Sequence, residues 1–204
     1  MAVRDALLVL LLDGPAYGFQ LHGGLAPRTG GRREVNVGQT YATLDRLGAQ
    51  GLIEPAGTTD DGLPLHRLTE AGREAAAAWL AGADGSGADP WHETVDRVLL
   101  ALSLPTIDAA PVVTGERERW TGRRAAAAAR HAEAGSSTDD GAPQAALAAL
   151  AADAEVAIAE AALDWLDRAN RADGAALAFA PSAERPRRGR RPARPAPEPH
   201  PVEA

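Results

Sequence analysis

The chain has 204 residues, enough for one ordinary domain or two small ones, and a formal net charge of −7. It has no cysteine and only 4% aromatic residues, which excludes disulfides, thiolate metal sites and a cysteine nucleophile and favours packed helices over a large sheet. The apolar run Ala6–Leu12 is too short to cross a bilayer and lies between Asp5 and Asp13, so we expect a cytoplasmic protein without a membrane segment.

Three helices are predicted at the start of the chain. The first runs from about Arg4 to Leu12 and the second from about Tyr17 to Ala26. The third has Asn36 as its N-cap candidate, with Gln39 three residues later in a capping-box arrangement. Gly51 supplies a left-handed stop for this third helix.

A β-hairpin and a fourth helix follow. The first strand starts at Leu52, the hairpin loop covers Ala56–Pro64, and the returning strand covers Leu65–Leu68. Thr69 caps a helix that ends near Leu80. The order of three helices, a hairpin and a helix predicts a winged helix-turn-helix, so the expected fold is mainly α with a small β-hairpin.

The second half of the chain is predicted to be helical. Two helices cover Trp91–Leu104 and about Ala109–Ala134. A third helix carries apolar residues at steps of three and four, at Leu147, Leu150, Ala154, Ile158, Ala161 and Trp165. The predicted domains are a winged helix-turn-helix at 1–82, a linker at 83–90, a helical dimerisation domain at 91–172 and a disordered Pro/Arg-rich tail at 173–204.

In a winged helix-turn-helix, the third helix lies in the major groove of DNA. If Leu44 and Leu47 face inward, the polar residues predicted to face DNA are Asn36, Gln39, Thr40, Thr43 and Arg46. Glutamine can bond adenine, arginine can bond guanine, and a threonine methyl can touch thymine. The alternative is an ordinary surface helix with a polar outer face, and the order of the elements favours DNA.

Basic residues outside the third helix are further candidates for DNA contacts. They are Arg28, Arg32, Arg33, His66 and Arg67. The first three lie in one loop and could neutralise phosphates, or could form a solvated loop. The predicted wing tip carries Asp60 and Asp61, which would repel phosphates.

The segment Pro186–Pro195 reads PRRGRRPARP. Arginines of this kind can enter a narrow minor groove. The alternative is a disordered basic tail, and non-specific help in DNA association is compatible with both.

Three stretches resemble the PadR family of bacterial transcriptional regulators: Ala6–Leu21, Val35–Glu54 and His66–Leu80. They carry, in order, Gly-Pro-x-x-Gly-aromatic, then Gly-x-x-Tyr-x-x-Leu-x-x-Leu-x-x-x-Gly-Leu-Ile, then Arg-Leu-Thr-x-x-Gly. The second half is more weakly similar to the helical C-terminal domain of the longer PadR subfamily, best over Ala161–Ala169. The resemblance covers about residues 4–170.

The resemblance implies a homodimeric regulator of double-stranded DNA, most simply a repressor acting on a roughly palindromic operator. It implies that Tyr41 lies at the DNA. It also implies that the first helix, through Leu7, Leu8 and Leu11, joins the apolar seam of the last helix in the dimer interface. Some relatives bind flat aromatic compounds between subunits, which makes Trp91 and Trp165 candidate ligand residues, with plain packing as the alternative.

Two other functions remain open: a helical protein–protein adaptor that has lost DNA binding, and a regulator whose main role is to sense a flat aromatic molecule. The five histidines are scattered and no phosphate loop or catalytic trio occurs. We therefore expect no metal, no cofactor and no enzymatic activity.

Overall fold

The computed structural model describes residues 3–83, 88–136, 143–183 and 185. Its elements are α1 (Val3–Leu10), a 3₁₀ turn (Leu11–Asp13), β1 (Ala16–Tyr17), α2 (Gly18–Arg28), α3 (Val37–Ala49), β2 (Ile53–Thr58), β3 (Pro64–Leu68), α4 (Glu70–Leu80), α5 (Pro90–Ser103), α6 (Ala109–Ser136), α7 (Pro143–Asn170) and α8 (Gly174–Leu177). This is the predicted fold class, mainly helical with a small sheet. None of the helices in these ranges has both the length and the apolar character needed to cross a membrane.

The predicted ends of α3 and α4 are confirmed. Asn36 Oδ1 accepts a hydrogen bond from the Gln39 backbone N–H at 2.7 Å, and so caps α3. Thr69 Oγ1 accepts from the Gly72 N–H at 3.1 Å at the start of α4. Gly51 adopts a φ of 68° directly after α3, the left-handed conformation that glycine adopts without strain.

The sheet has three antiparallel strands in the order β1-β3-β2. The predicted hairpin is β2 and β3, in which Glu54 lies opposite Arg67. The third strand was not predicted: β1 pairs with β3 through Tyr17 opposite Leu65. A strand of two residues is too short to show the alternation by which strands are recognised in a sequence.

Helix α1 lies at the centre of the first hydrophobic core, against α2, α3, α4 and α5. Leu7 and Leu8 are fully buried and Leu11 is 3% exposed. Their prediction as dimer-interface residues is therefore wrong for these side chains, because elements of the same chain already cover them. In a small domain, a strongly apolar helix is buried in the core of that same domain, so its side chains are not available to a partner subunit.

A second core lies between α5, α6 and α7, and includes Val112, Trp120 and Leu166. Helices α6 and α7 pack side by side and run antiparallel, since Arg130 pairs with Glu155 and Arg117 with Asp167.

Helix α5 belongs to both cores. Its residues Leu100 and Leu104 (the C-cap) pack into the first core, whereas Val98 and Ala101 pack into the second. The predicted domain boundary at 83–90 stays a prediction, and residues 84–87 of that linker lie outside the described residues.

Buried charges also lie on α5. Arg97 is 1% exposed and forms an ion pair with Glu116 of α6, which also accepts a hydrogen bond from Thr94 Oγ1 at 2.7 Å. Glu93 accepts the indole N–H of Trp79 from α4 at 2.6 Å. Because each acid has a donor on another element, these side chains tie α4, α5 and α6 together.

The C-terminal residues differ from the prediction of disorder from residue 173. Asp173 caps the short helix α8 by accepting from the Ala175 N–H at 3.0 Å. Residues 178–183 and 185, called the strap below, then run back past the end of α5, where the Phe179 N–H donates to the Ser103 carbonyl at 3.2 Å, and over α2, where Gln20 Nε2 donates to the Ser182 carbonyl at 3.2 Å. The rest of the predicted tail, residues 184 and 186–204, lies outside the described residues.

Candidate nucleic-acid interface

Helix α3 turns four residues toward the core, not two. Leu44 and Leu47 are buried as predicted, but Thr40 (0% exposed) and Thr43 (5% exposed) are buried beside them. The prediction that both threonines face DNA is therefore wrong. Two buried leucines do not determine the rotation of a helix about its axis precisely enough to tell which neighbouring residues are also buried.

The burial of these four residues determines which side of α3 faces solvent. Its centre is formed by Gly38, Ala42, Asp45 and Ala49, all exposed. At about 100° per residue, Tyr41 lies on one flank of this face and Gln39 and Arg46 lie on the other. Asp45 was not among the predicted site residues, although a carboxylate can accept a hydrogen bond from the amino group of cytosine.

Arg46 is held in place by its own helix. Its Nη2 donates to Thr43 Oγ1 at 3.0 Å, and that hydroxyl in turn donates to the Gln39 carbonyl at 2.8 Å. The buried threonine thus orients the arginine without reaching solvent. An arginine whose rotamer is fixed loses less entropy when it bonds a base edge.

Tyr41 is 42% exposed and packs on the start of α2. A Cβ added to Gly18 would lie 2.7 Å from the Tyr41 ring, so the absence of a side chain at Gly18 makes room for this ring. On the buried side, His22 Nδ1 and Thr40 Oγ1 lie 3.2 Å apart and link α2 to α3. Tyr41 therefore lies on the outside of the helix pair, and its place at the DNA stays a prediction.

The wing offers little free positive charge. Arg67 Nε donates to Glu54 across the hairpin at 2.8 Å. Burial lowers the pKa of His66, and the nearby charge of Asp45 only partly opposes this, so the neutral imidazole is favoured. Asp61 at the wing tip lies 3.5 Å from the guanidinium of Arg185 in the strap.

Arg28 is not available to phosphates. It is 3% exposed and donates to the backbone carbonyls of Ser103 and Phe179, the latter at 2.7 Å. Burial lowers its pKa and the charge of Asp13 opposes that shift. The predicted phosphate contact is wrong at this position, because the guanidinium is used within the chain.

Arg32 and Arg33 both turn toward Asp96, a fully buried residue of α5. Arg33 Nε donates to Asp96 Oδ2 at 2.6 Å, and Arg32 Nε lies 3.6 Å from Oδ1. The loop before α3 is thus tied to α5. A role in phosphate binding remains a prediction for the two residues, whose side chains are 36% and 24% exposed, but one buried carboxylate already attracts both.

The second predicted interface lies on α7. Leu147 and Leu150 are each 66% exposed and Ile158 is 55% exposed, with Ala154 and Ala161 also exposed between and beyond them. Trp165, at the end of this row, is half-buried. Large apolar side chains in one exposed row are typical of an interaction surface.

A cavity of about 460 Å³ lies beside this row, lined by Trp91, Trp120, Arg123, Glu155 and Ile158 among others. The Trp91 ring meets Trp120 and Trp165 edge to face, with centroids at 6.0 and 5.3 Å. Trp165 itself does not line the cavity. Within the ranges that the structure describes, no three His, Asp or Glu side chains are grouped so as to hold a metal ion.

Comparison with known proteins finds a family match near the start of the chain. Residues 7–78 match the model of the Transcriptional regulator PadR-like family. No sequence among the curated proteins matches the chain. Among solved structures, a crystal structure of Bacillus subtilis PadR in complex with operator DNA is similar at 15% identity and a TM-score of 0.37, over 82% of this chain and 95% of that chain. The family match covers residues 7–78 and no other part of the chain.

Proposed function

We propose that the chain is a cytoplasmic, sequence-specific DNA-binding repressor of the PadR-like family that acts as a homodimer, and the match of residues 7–78 to the model of that family supports this proposal. The observation that carries the proposal is the outer face of α3. A capped helix on a winged-helix scaffold presents Gln39 and Arg46 on one flank of its solvent face, with Asp45 at the centre among glycine and alanine.

Small residues at the centre of this face allow the helix to approach the floor of the major groove, while the longer side chains reach base edges from its flanks. The N-terminus of α3 adds exposed backbone N–H groups, which favour a phosphate. This arrangement supports direct reading of bases by Arg46 and Gln39, with Asp45 as an acceptor for cytosine and Tyr41 at the flank.

The test is selection of bound duplexes from a random-sequence pool with the full chain. Enrichment of a two-fold symmetric sequence is expected, and no enrichment would contradict the proposal and favour the protein–protein adaptor. On the selected sequence, Arg46→Ala is expected to weaken binding by about 1–3 kcal/mol for each guanine that the arginine bonds. Arg168→Ala, which removes an exposed arginine from α7, is the matched control and should leave affinity unchanged. A promoter–reporter assay then distinguishes repression from activation.

The homodimer is proposed from the exposed row on α7. Leu147, Leu150 and Ile158 would be buried by the same row of a second copy, with alanines at the steps between them allowing close approach. The winged-helix domains of the two copies would then face two half-sites of a palindromic operator. Leu7, Leu8 and Leu11 have no part in this interface as they lie in the first core.

A small aromatic effector is supported by one specific observation, the cavity at Trp91. Its volume of about 460 Å³ lies within the usual range for ligand sites, and the Trp91 and Trp120 rings supply flat apolar walls. Flat aromatic compounds should quench the fluorescence of the chain, and Trp91→Phe should reduce that effect. Equal quenching in both proteins would remove this cavity as the site.

A further inference from the structure

Two large apolar side chains of α3 are exposed to solvent. Val37 is 46% exposed and Tyr41 is 42% exposed. Leu44 and Leu47, by contrast, are buried in the first core. Residues four apart in a helix lie on the same side, so Val37 and Tyr41 form one apolar surface, called the Val37/Tyr41 flank below. At about 100° per residue, this flank lies across the solvent face from Arg46.

The hydrophobic core does not account for Val37. Val35, two residues earlier, packs against the first core just before α3 begins. Val37 follows the N-cap Asn36 and occupies the first position of the helix. Because valine is a poorer helix former than alanine, its presence at this exposed position is not explained by the stability of the fold. A contact outside the chain is the remaining physical reason for an apolar side chain there.

Tyr41 is held in place by α2. A Cβ added to Gly18 would lie 2.7 Å from Cε1 and 3.1 Å from the hydroxyl oxygen of Tyr41, so one side of the ring lies against the backbone of Gly18. Val37 is restricted as well, because a valine in a helix has one strongly preferred χ1 rotamer. Both side chains are thus ordered before any ligand binds, and burying them costs little side-chain entropy.

The small residues beside the flank leave it open to a ligand. Gly38 and Ala42 directly follow Val37 and Tyr41, are exposed, and lie toward the centre of the solvent face. They add at most a methyl group, so an approaching surface can reach the two larger side chains. Val37 and Tyr41 are about 6 Å apart along the helix axis, close to the rise of about two base pairs in DNA.

The ligand of this flank is expected to be apolar and to belong to the DNA that the rest of α3 faces. In the major groove, the 5-methyl group of thymine is the apolar group by which a side chain recognises a base. Positive charge is limited nearby, since Arg28, Arg33 and Arg67 are each bonded within the chain. Contacts that do not depend on charge therefore have a larger part in the recognition of DNA by this helix.

We propose that the Val37/Tyr41 flank recognises thymine in each half-site by packing on 5-methyl groups. Val37 contacts the methyl group of one thymine, and the Tyr41 ring contacts that of a second thymine one or two base pairs away. Arg46 and Gln39 bond purines from the other flank of α3. This inference rests on the proposed function, and it makes the operator one that the chain distinguishes from the same sequence with uracil in place of thymine.

The first test uses the full chain and the selected operator, with each thymine in turn replaced by deoxyuridine in both half-sites. Deoxyuridine pairs as thymine does and lacks only the methyl group. Burial of one such group contributes about fourfold in affinity, and about fifteenfold when both half-sites change. A loss of this size is expected at the two contacted thymines of each half-site. It should be equal at low and high salt, because an apolar contact releases no counterions.

The second test assigns each methyl group to a side chain. Val37→Ala should abolish the effect of deoxyuridine at one thymine, and Tyr41→Ala should abolish it at the other. Tyr41→Phe keeps the ring and should retain the effect. Each effect is a ratio of affinities measured on one variant, so a change in the stability of that variant, or in the DNA itself, cancels. Leu177→Ala, at an exposed apolar residue of α8, is the matched control and should change no ratio.

The outcomes separate the two proposals. If the full chain selects no operator, the proposed function fails and this inference falls with it. If the selected operator has no constant thymine, or binds equally well with deoxyuridine at every thymine, the regulator stands and the recognition of thymine is wrong. If deoxyuridine weakens binding equally in the wild type, Val37→Ala and Tyr41→Ala, other residues contact the methyl groups and the role of the Val37/Tyr41 flank is overturned.

Discussion

Gly72 offers a sharp test of how α4 positions the wing. It is the last residue of the Arg-Leu-Thr-x-x-Gly motif and lies in the first turn of α4. A Cβ added there would lie 1.9 Å from the carbonyl oxygen of Leu52, the residue before β2. The same carbonyl accepts hydrogen bonds from the Thr69 N–H at 3.1 Å and from Thr69 Oγ1 at 3.2 Å. Gly72 therefore lets α4 pack directly on the backbone that leads into the wing.

The expected loss of stability for Gly72→Ala can be worked out from these distances. The methyl group would have to move about 1.4 Å to reach the ~3.3 Å at which a carbon normally meets a carbonyl oxygen. Overpacking of this kind costs about 1–3 kcal/mol, and weakening the two bonds to Leu52 costs about 1 kcal/mol each. The better helix propensity of alanine returns about 1 kcal/mol. The free energy of unfolding should therefore fall by about 2–4 kcal/mol.

Urea unfolding of the full chain measures this change. Gly48→Ala in α3 is the matched control, because an added Cβ there meets no atom within 4 Å, and it should raise stability by up to about 1 kcal/mol. Equal effects of the two substitutions, or a stabilising Gly72→Ala, would refute the packing of α4 on Leu52.

Three further outcomes are expected. Glu116→Gln removes the nearer of the two buried anions at Arg97 and leaves only Glu93, at 4.0 Å, so it should cost about 3–5 kcal/mol in urea unfolding. Burial alone would raise the pKa of Glu116, but its bonds to Arg119 and Thr94 and the charge of Arg97 lower that pKa below its ordinary value of 4.5. Wild-type stability should therefore be full above about pH 4.5 and fall as the pH drops through the lowered pKa, and the variant should lack this component. Asp96→Asn releases Arg33 and should lower the free energy of unfolding by about 1–2 kcal/mol, and a change near zero would show that this ion pair contributes little. Ile158→Arg should convert the proposed dimer to a monomer in analytical ultracentrifugation, whereas Glu160→Arg, on an exposed position off the apolar row, should not. A dimer that survives Ile158→Arg would place the interface elsewhere.

Local signals in the sequence were sufficient for the helix ends. Asn36 and Thr69 cap their helices and Gly51 takes the left-handed conformation, because caps and stops depend on residues within one turn. The fold class followed from the order of these elements. Strand β1 was missed because it is defined only by its pairing with β3, about 50 residues away.

The candidate site was predicted less completely, for the same reason. Arg28 and Arg33 look like free loop cations until their partners are known, and those partners, Ser103, Phe179 and Asp96, lie 63 or more residues away in sequence. Thr43 was placed on the wrong side of α3 because a short helix with two leucines allows more than one orientation of its polar residues. Long-range partners decide which charges are available to a ligand, and a single sequence does not reveal them.

Helix α5 limits how this chain can be recombined. A winged-helix module is often thought of as a part that can be joined to any dimerisation unit at the linker, here residues 83–90. In this chain a fusion at that point would remove Leu100 and Leu104 from beneath α1, and would leave Trp79 without the carboxylate that accepts its indole N–H. A transplantable winged-helix module would have to include α5. Val98 and Ala101, which pack into the second core from the opposite side of α5, would then be exposed. The winged-helix domain and the helical half are therefore expected to evolve, and to be engineered, as one unit.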